Sequence, residues 1–501
     1  MSSVIETFLT RLTYGESENI RKETGTNGVI ETLARVYEKA RNALEYRADH
    51  LVRRAAIERI LKRRVILDRQ PQSVAKHLLT ELKWARYISS AEIKKIDAPT
   101  LEKILEKYLA HTTVAIPQDW IVKIASSEIE EQFSLNPDYK QFTLLAFQII
   151  KQKVKVDDEN ADLLIYFAVD KVYAGSDDEQ IAYHILKLAG ENLTKEKLEE
   201  GWRLFNSAKN HKFLPRIIKF VRRQMPPLIL LRDIYFYSPT EFKKSLENEE
   251  QFKKSATEAL ENQLTQMSGR IKTAGLRSVI YVFLTKMVLA IGIEIPFEIF
   301  VYGAVSKLPL VVNIIFPPTL MWATTLQDHL PKERERENLI DRTWFVLTHF
   351  EDLKNEEDVL TNIPEEKSSI TYSVFSTLYV LIFIGIFGLI YFILGEIGFR
   401  FANKVVFVFF LTIIAFFAYR ISQIAKVYSW KGIGKESSTL TDIVSLPILA
   451  IGSRLSRGLS KLNFLAFAFD FILEAPFKII LGFLDSWVQF LSLKKEEEII
   501  E

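Results

Sequence analysis

The strongest constraint on this chain is a pair of uncharged apolar runs late in the sequence. Val374 to Leu394 contains 21 residues without a charge, and Val405 to Tyr419 contains 15 more after a short connector. The hydrocarbon core of a bilayer is about 30 Å thick, and about 20 helical residues cross it. The pattern predicts a transmembrane hairpin over residues 374–425, with Lys404 and Arg420 snorkelling outward from the ends of its second helix.

A second apolar pair precedes this hairpin. Ser278 to Ile293 is apolar except for Ser278, Thr285 and Lys286, and Leu308 to Leu326 is uncharged for 19 residues. Runs of this length and composition favour two further membrane helices joined by a short loop. We therefore interpret residues 278–326 as a first transmembrane hairpin.

Polar residues inside the first hairpin suggest a site. Lys286 lies nine residues after Arg277, about 13 Å along a helix and so near the bilayer centre. An unpaired lysine there costs about 2.5–3.5 kcal/mol, so it should face the bundle interior. One hypothesis is an intramembrane polar site that lines an ion or proton route, formed by Lys286, Glu294, Glu298 and Asn313. The alternative is that Lys286 snorkels or pairs structurally while both glutamates are interfacial.

Lysine and arginine are concentrated in the segments that flank the two hairpins on one side. These cations are Arg270, Lys272, Arg277, Lys332, Arg334, Arg336, Arg342, Arg420, Lys426, Lys431 and Lys435. The two opposite loops contain only Lys307 in one case and Arg400 with Lys404 in the other. By the positive-inside tendency, the N- and C-termini of this multi-pass protein are expected in the cytoplasm.

Residues 1–237 have the pattern of an all-α cytosolic domain. Short amphipathic segments at helical spacing are separated by capping or breaking residues, and strict period-two alternation is absent. The predicted helices are Ser73–Tyr87, Ala98–Ala110, Pro117–Phe133, Pro137–Lys153, Asn160–Tyr173, Asp177–Leu188 and Thr194–Phe205. We infer no sheet. The fold class is therefore all-α, with a multi-helix cytosolic domain followed by a helical transmembrane bundle.

One predicted helix, between residues 28 and 70, is strongly basic. From Arg35 to Arg69 it has 11 Lys or Arg against 5 Asp or Glu. Such a face contacts anionic lipid or is simply solvated, and the tether to a bilayer favours lipid among the functional alternatives. The expected anionic-lipid contacts, here and near the C-terminus, are Arg53, Arg54, Arg59, Lys62, Arg63, Arg64, Arg454, Arg457 and Lys461.

Three further segments complete the predicted organisation. Residues 238–277 read as one helical connector, opened by Ser238-Pro-Thr-Glu and unbroken until Gly269. Residues 327–373 read as a charged cytosolic loop, partly helical near Trp344. Its His349, Glu351 and Asp352 are more typical of a solvated loop than of a metal site.

The C-terminal residues 426–501 contain an apolar, phenylalanine-rich stretch with a narrow polar stripe. Asp470, Glu474 and Lys478 repeat every four residues. Because a fifth span would bury several charges, we interpret this region as amphipathic helices at the membrane surface. Whether residues 463–492 are interfacial or a fifth span stays open.

Composition excludes several kinds of chemistry. The chain has no cysteine, so it forms no disulfide, cysteine-ligated zinc site, iron–sulfur cluster or thiol nucleophile. The first residues lack the pattern of a cleaved signal peptide. Phosphate-binding loops, G-x-S-x-G and HExxH are absent, and the histidines occur singly. We expect no cofactor, no metal and no catalytic residues, and therefore not an enzyme.

Four stretches together carry a resemblance: YEKARNALEYRADHLVRRAAIERILKRR, RSVIYVFLTKMVLAIGIEIPFEIF, NIIFPPTLMWA and FDFILEAPFK. With these, the chain resembles uncharacterised polytopic helical membrane proteins of small-genome, uncultivated bacteria. The resemblance implies a bacterial cytoplasmic membrane and attaches no function.

Two functions are consistent with these features. The first is a scaffold or partner-binding protein that presents its helical domain at the cytoplasmic face. The second is an ion or small-solute channel or transporter that uses Lys286 and Glu294/Glu298. The expected partners are the lipid bilayer and either another protein or a second copy through helical surfaces, whereas nucleic acid is not expected.

Overall fold

The computed structural model describes residues 2–14, 49–67, 70–84, 87–88, 98–109, 116–133, 138–188, 190, 193–325, 330–361, 369–430, 448, 450 and 451. Within these residues the prediction of fold class is confirmed, because a large all-α domain is followed by apolar helices long enough to span a membrane. The first half of the basic helix and the C-terminal amphipathic helices lie outside the described residues.

Most of the N-terminal helices lie close to the bounds that the sequence pattern predicts, but the helix Ser3–Thr10 was not predicted. They are α1 (Ser3–Thr10), α2 (Asp49–Leu67), α3 (Pro71–Trp84), α4 (Ala98–Leu109), α5 (Gln118–Phe133), α6 (Asp138–Lys153), α7 (Ala161–Val169), α8 (Asp178–Leu188), α9 (Lys195–Lys209) and α10 (Leu214–Tyr237). A π-helical turn, Asp170–Ala174, continues α7. Helix α10 was missed because it contains Pro226 and Pro227, and the structure buries both prolines without ending the helix.

The connector differs from the single helix predicted for residues 238–277. A short α11 (Pro239–Ser245) ends first, and α12 (Glu249–Leu289) then begins where the Asn248 side chain accepts a hydrogen bond from the Gln251 amide at 2.8 Å. Helix α12 passes through Gly269 without a break and continues into the first hairpin, a length of roughly 60 Å. An internal glycine weakens a helix without ending it. A single helix therefore joins the domain to the membrane bundle.

Residues 333–355 form part of the domain core, which corrects the prediction of a charged loop over residues 327–373. Helix α15 (Glu333–Thr348) and a 3-10 turn (Phe350–Asn355) bury Leu339, Leu347 and Leu353 completely. Leu339 and Leu347 share a helical stripe with Thr343 and Val346, beneath the charges that dominate the sequence.

A minimal sheet was also missed by the sequence pattern. Strand β1 (Val154–Lys155) pairs in parallel with β2 (Leu360–Thr361), and each strand is only two residues long. A run of two residues has no detectable alternation, so the periodicity gives no signal.

The domain core is assembled from three separate parts of the chain. Tyr428 and Trp430, which follow the second hairpin, are buried in the same hydrophobic core as α10, α12 and α15. The Tyr428 hydroxyl donates to Asp233 on α10, and Ser429 Oγ donates to Glu335 on α15 at 3.1 Å. Segments before, between and after the hairpins therefore share one hydrophobic interior.

Three helices are long and apolar enough to cross a membrane within the described residues. They are α14 (Lys307–Thr325), most of α16 (Ser369–Glu396) and most of α17 (Phe401–Ala425). The predicted first span is helical as well. Lys286 interrupts its apolar sequence, and a π-helical turn (Ala290–Glu294) separates α12 from α13 (Ile295–Tyr302). Helices α12, α14 and α17 pack together through Val282, Met321 and Phe410.

A buried ion network fastens the segment between the hairpins to the domain. Lys153 is 1% exposed, and its Nζ lies 2.8 Å from Glu356 Oε2 and 2.8 Å from Gln224 Oε1. Arg342 donates two hydrogen bonds to the same Glu356 carboxylate at 2.5 and 2.7 Å. Burial acts to raise the pKa of Glu356, but the two cations outweigh it and hold that pKa below its ordinary value.

We expect Glu356→Gln to destabilise the folded protein by about 3 kcal/mol, because it leaves the buried Lys153 ammonium without its anion. The measurement is thermal unfolding of the purified full chain in detergent, followed by circular dichroism. The control is Asp162→Asn, which breaks the solvent-exposed Lys151–Asp162 pair and should cost less than about 1 kcal/mol. Equal losses in the two variants would contradict the role of burial.

Candidate functional site: a buried polar cluster in the membrane bundle

The structure brings together the polar residues that the sequence places in the first hairpin. Lys286, Glu294 and Asn313 are at most 1% exposed. Lys286 Nζ donates to Glu294 Oε1, and Asn313 Nδ2 donates to Glu294 Oε2 at 2.8 Å. The ammonium also lies 4.8 Å from the centre of the Phe410 ring. The lysine is thus neutralised inside the bundle instead of snorkelling to its surface.

A π-helical turn makes the Lys286–Glu294 pair possible. Residues eight apart on a regular α-helix point about 80° away from each other. The π turn Ala290–Glu294 widens the helix there, and its longer hydrogen-bonding spacing rotates Glu294 back toward the face of Lys286. Sequence periodicity assumes a regular helix, so it detects the two residues but not their contact.

Glu298 joins the first hairpin to the second. Its carboxylate is 2% exposed, and Oε1 accepts a hydrogen bond from Asn403 Nδ2 on α17 at 2.5 Å. The other oxygen accepts from the backbone N–H of Ser306 at 2.7 Å. Both Glu294 and Glu298 are therefore buried between helices of the bundle.

Asn403 was missed by sequence reasoning because it sits beside Lys404 at the start of a span, where polar residues are common. The sequence gives no signal for its role, since Arg400 and Lys404 lie within three residues of it. Its Oδ1 atom, like that of Asn313, is buried and has no hydrogen-bond partner among the described residues. Buried amide oxygens of this kind usually find a donor, so both are open acceptors within the cluster.

Two basic residues lie close to the cluster without pairing with its carboxylates. Lys404 is 9% exposed, and its Nζ lies 3.7 Å from the centre of the Tyr391 ring. Arg400 donates to the carbonyl of Ala304 at 2.8 Å and stacks over the Tyr302 ring. The loop of the first hairpin thus contacts that of the second.

Most of the α2 cations that were predicted to contact lipid form ion pairs with carboxylates of the domain. Arg54 is 3% exposed and contacts Asp177 and Glu58 at 2.7 and 2.8 Å, so it cannot reach a lipid headgroup. Arg53 pairs with Glu130 at 2.8 Å. Burial opposes the charge on Arg54, but its carboxylate partners outweigh burial and raise its pKa.

The remaining cations of α2 are nearer the surface. Lys62 contacts Asp119 at 2.5 Å, and both Arg63 and Arg64 pair with Glu81. Arg59 is exposed and bonds to the carbonyl of Ala55 at 3.3 Å. The excess of positive charge in the sequence is thus largely matched by carboxylates of neighbouring helices. Arg454, Arg457 and Lys461 lie outside the described residues.

A serine, an aspartate and a histidine meet elsewhere in the domain. Asp170 accepts hydrogen bonds from Ser176 Oγ at 2.7 Å and from the His184 ring, 2.7 Å away. Burial disfavours the charged ring, but Asp170 outweighs it and raises the pKa of His184. The aspartate separates the serine from the histidine, so this trio lacks the nucleophile–base contact of hydrolases.

In the described part of the chain, no group of three or more His, Asp or Glu side chains is arranged to hold a metal ion. His349 stacks on Phe345, with ring centres 4.7 Å apart. The polar cluster is therefore the feature with the clearest chemical character, since it holds a buried cation, two carboxylates and two amides in an apolar bundle.

We expect Lys286→Leu alone to lower stability by about 3–5 kcal/mol, because Glu294 is then a buried charge without a cation. The double variant Lys286→Leu/Glu294→Leu removes both charges and should unfold near the wild-type temperature or above it. Thermal unfolding of the purified protein in detergent measures both changes.

The matched control is Glu396→Gln, which changes an exposed glutamate at the end of α16 and should be nearly neutral. The single variant Glu294→Leu completes the comparison. If the loss in the double variant equals the sum of the losses in Lys286→Leu and Glu294→Leu, the two residues do not act as a pair.

No family model, no curated protein and no solved structure matches this chain.

Proposed function

We propose that this protein is a membrane-anchored helical platform that binds a protein partner at the cytoplasmic face. The observation that carries the proposal is the single domain core built from segments before, between and after the two hairpins. A domain whose core includes all three of these segments is held at a fixed distance and orientation relative to the membrane. Such a fixed position suits a scaffold, which has to hold a partner in place.

The shared core supports a specific topology. Segments that pack in one core must lie on one side of the membrane, so each hairpin has to cross the bilayer and return. This supports a fourth crossing at residues 278–302, alongside α14, although Lys286 and the π turn interrupt that stretch. The contact of Arg400 with Ala304 and Tyr302 is consistent with both hairpin loops lying on the opposite side.

The positive-inside tendency then supports a cytoplasmic domain and cytoplasmic termini, because the cationic flanks belong to the domain side. The cytoplasmic membrane of a bacterium fits this arrangement.

An aromatic patch on the domain supports partner binding. We define it as Tyr139, Arg232, Phe236 and Tyr237. Tyr139 and Tyr237 are 48% and 46% exposed, Tyr139 stacks on Phe236, and the Arg232 guanidinium lies 5.3 Å from the centre of the Tyr139 ring. Tyrosine and arginine are enriched at the centres of protein interfaces, and this patch has that composition.

The topology can be tested with single cysteines, since the natural chain has none. We expect a membrane-impermeant maleimide to label Ala304→Cys and Glu396→Cys, in or beside the hairpin loops, on intact cells. The matched domain variants Glu351→Cys and Lys354→Cys should react only after permeabilisation. The reverse pattern would overturn the orientation, and labelling of only one loop would overturn the pair of hairpins.

Partner binding at the aromatic patch can be tested by photocrosslinking in cells. A benzophenone amino acid in place of Tyr139 or Tyr237 should give discrete crosslinked products. The same group in place of Leu188, which is 63% exposed but outside the patch, should not. A product of twice the chain mass, 57.9 kDa, would identify a second copy as the partner. Equal products from all three positions would contradict the patch.

A second candidate is an ion or small-solute channel or transporter, and the buried polar cluster favours it. Charged residues inside membrane bundles commonly mark ion or proton pathways. The double variant Lys286→Leu/Glu294→Leu separates the two candidates, because it keeps the platform while removing the buried ion pair of the candidate route. Loss of flux in proteoliposomes would then support transport.

A further inference from the structure

The charges of the buried polar cluster do not balance. The cluster consists of five residues that are each at most 2% exposed: Lys286, Glu294, Glu298, Asn313 and Asn403. Lys286 pairs with Glu294. Glu298 accepts hydrogen bonds from the Asn403 side chain at 2.5 Å and from the Ser306 backbone at 2.7 Å, and both donors are neutral. The cluster therefore contains two carboxylates and a single cationic side chain.

Two basic residues close to Asn403 on α17 are directed to other groups. Arg400 donates to the Ala304 carbonyl at 2.8 Å, and Lys404 Nζ lies 3.7 Å from the centre of the Tyr391 ring. No lysine or arginine of the described residues forms an ion pair with Glu298. Burying a carboxylate without a cation costs free energy, so a bound cation would stabilise the cluster.

Two amide oxygens of the cluster have no hydrogen-bond partner within the described residues. Asn313 Nδ2 donates to Glu294 Oε2 at 2.8 Å, and Asn403 Nδ2 donates to Glu298 Oε1. The Oδ1 atoms of both asparagines are buried and accept no hydrogen bond there. Buried amide oxygens usually have a partner, and a carboxylate that accepts two hydrogen bonds retains further lone pairs. Three side chains of the cluster thus have oxygen lone pairs that can bind a cation.

The packing of α14 against α17 places the two amides at nearly the same level of the bundle. Both helices begin at a hairpin loop, so they run in the same direction. The rings of Phe316 on α14 and Phe407 on α17 stack with their centres 5.2 Å apart. Asn313 precedes Phe316 by three residues, and Asn403 precedes Phe407 by four. The carboxylates that the amides contact are also four residues apart, about 6 Å along a helix.

The oxygen ligands and the charge of the cluster together indicate an alkali cation. Carboxylate and amide oxygens are hard ligands, which bind hard cations such as Na⁺, K⁺, Mg²⁺ and Ca²⁺. One added positive charge balances two carboxylates and one ammonium group. A divalent ion would leave the buried cluster with a net positive charge.

We propose that Glu298, Asn313 and Asn403 bind one alkali cation, Na⁺ or K⁺. Glu298 supplies the negative charge, and the two Oδ1 atoms supply neutral oxygen ligands. Because Glu298 lies on α13 and Asn403 on α17, the cation strengthens the contact between the first and second hairpins. This inference goes beyond the platform function and does not require that the ion crosses the bundle.

Thermal unfolding of the purified full chain in detergent tests the proposal. The midpoint is measured in NaCl, KCl and choline chloride at one ionic strength, because choline is too large to enter a site between packed side chains. NaCl or KCl should raise the midpoint by at least about 2 °C over choline chloride, and the rise should saturate. The larger rise identifies the preferred ion. Equal midpoints in the three salts would overturn the proposal, as would stabilisation by Mg²⁺ or Ca²⁺ alone.

Variants locate the effect in the cluster. Glu298→Gln removes the charge but keeps the size of the side chain, and it should abolish the difference between the salts. Asn403→Leu removes one amide oxygen and should raise the half-saturating salt concentration at least about tenfold. The matched control Glu396→Gln changes an exposed glutamate and should keep the full difference. A difference that persists in Glu298→Gln would contradict the site.

Direct binding to the unmodified chain gives a second measurement, which does not depend on the folding of the variants. Radioactive sodium or rubidium, the latter a K⁺ analogue, should bind in a scintillation proximity assay and saturate at about one ion per chain. Excess unlabelled NaCl or KCl should displace the label, whereas choline chloride should not. Failure of both labels to show saturable binding would overturn the proposal.

Discussion

The closure of one hydrophobic core by three distant segments is the constraint on which the rest of the structure depends. Helices that precede the first hairpin pack against α15, which lies between the two hairpins. They also pack against Tyr428 and Trp430, which follow the second hairpin. Burial of apolar surface drives the packing of these segments, and the ion pairs of Glu356 with Lys153 and Arg342 fix their relative positions. In the proposed topology, the packed segments lie on one side of the membrane. The chain therefore crosses the membrane an even number of times between one segment and the next.

The membrane part obeys the opposite rule for polar groups. Water is absent from the bilayer core, so charges there must find partners inside the bundle. Lys286 and Glu294 do so through a π turn that brings them to one face. Glu298 instead accepts hydrogen bonds from neutral donors, the Asn403 side chain and the Ser306 backbone. The same long helix, α12, carries Lys286 and contributes Phe252 and Leu260 to the domain core.

The local count of charges in the basic helix does not show which groups its cations contact. An excess of arginine and lysine in the sequence suggested contact with anionic lipid, yet Arg53, Arg54 and Lys62 are bound by carboxylates of other helices. The partners Glu130 and Asp177 lie 77 and 123 residues away along the chain. A local count of charges cannot include them, because only the fold brings them within hydrogen-bonding distance.

The amino-acid sequence by itself determined the positions of most helices, the apolar spans and the presence of buried polar residues in the first hairpin. These properties follow from local periodicity and from the cost of charge in lipid, which depend on neighbouring residues alone. Only the tertiary structure decided that residues 333–355 belong to the core, that Lys286 meets Glu294, and that Asn403 meets Glu298. Those contacts depend on helix register and on packing between distant segments, for which a one-dimensional pattern contains no measure of distance.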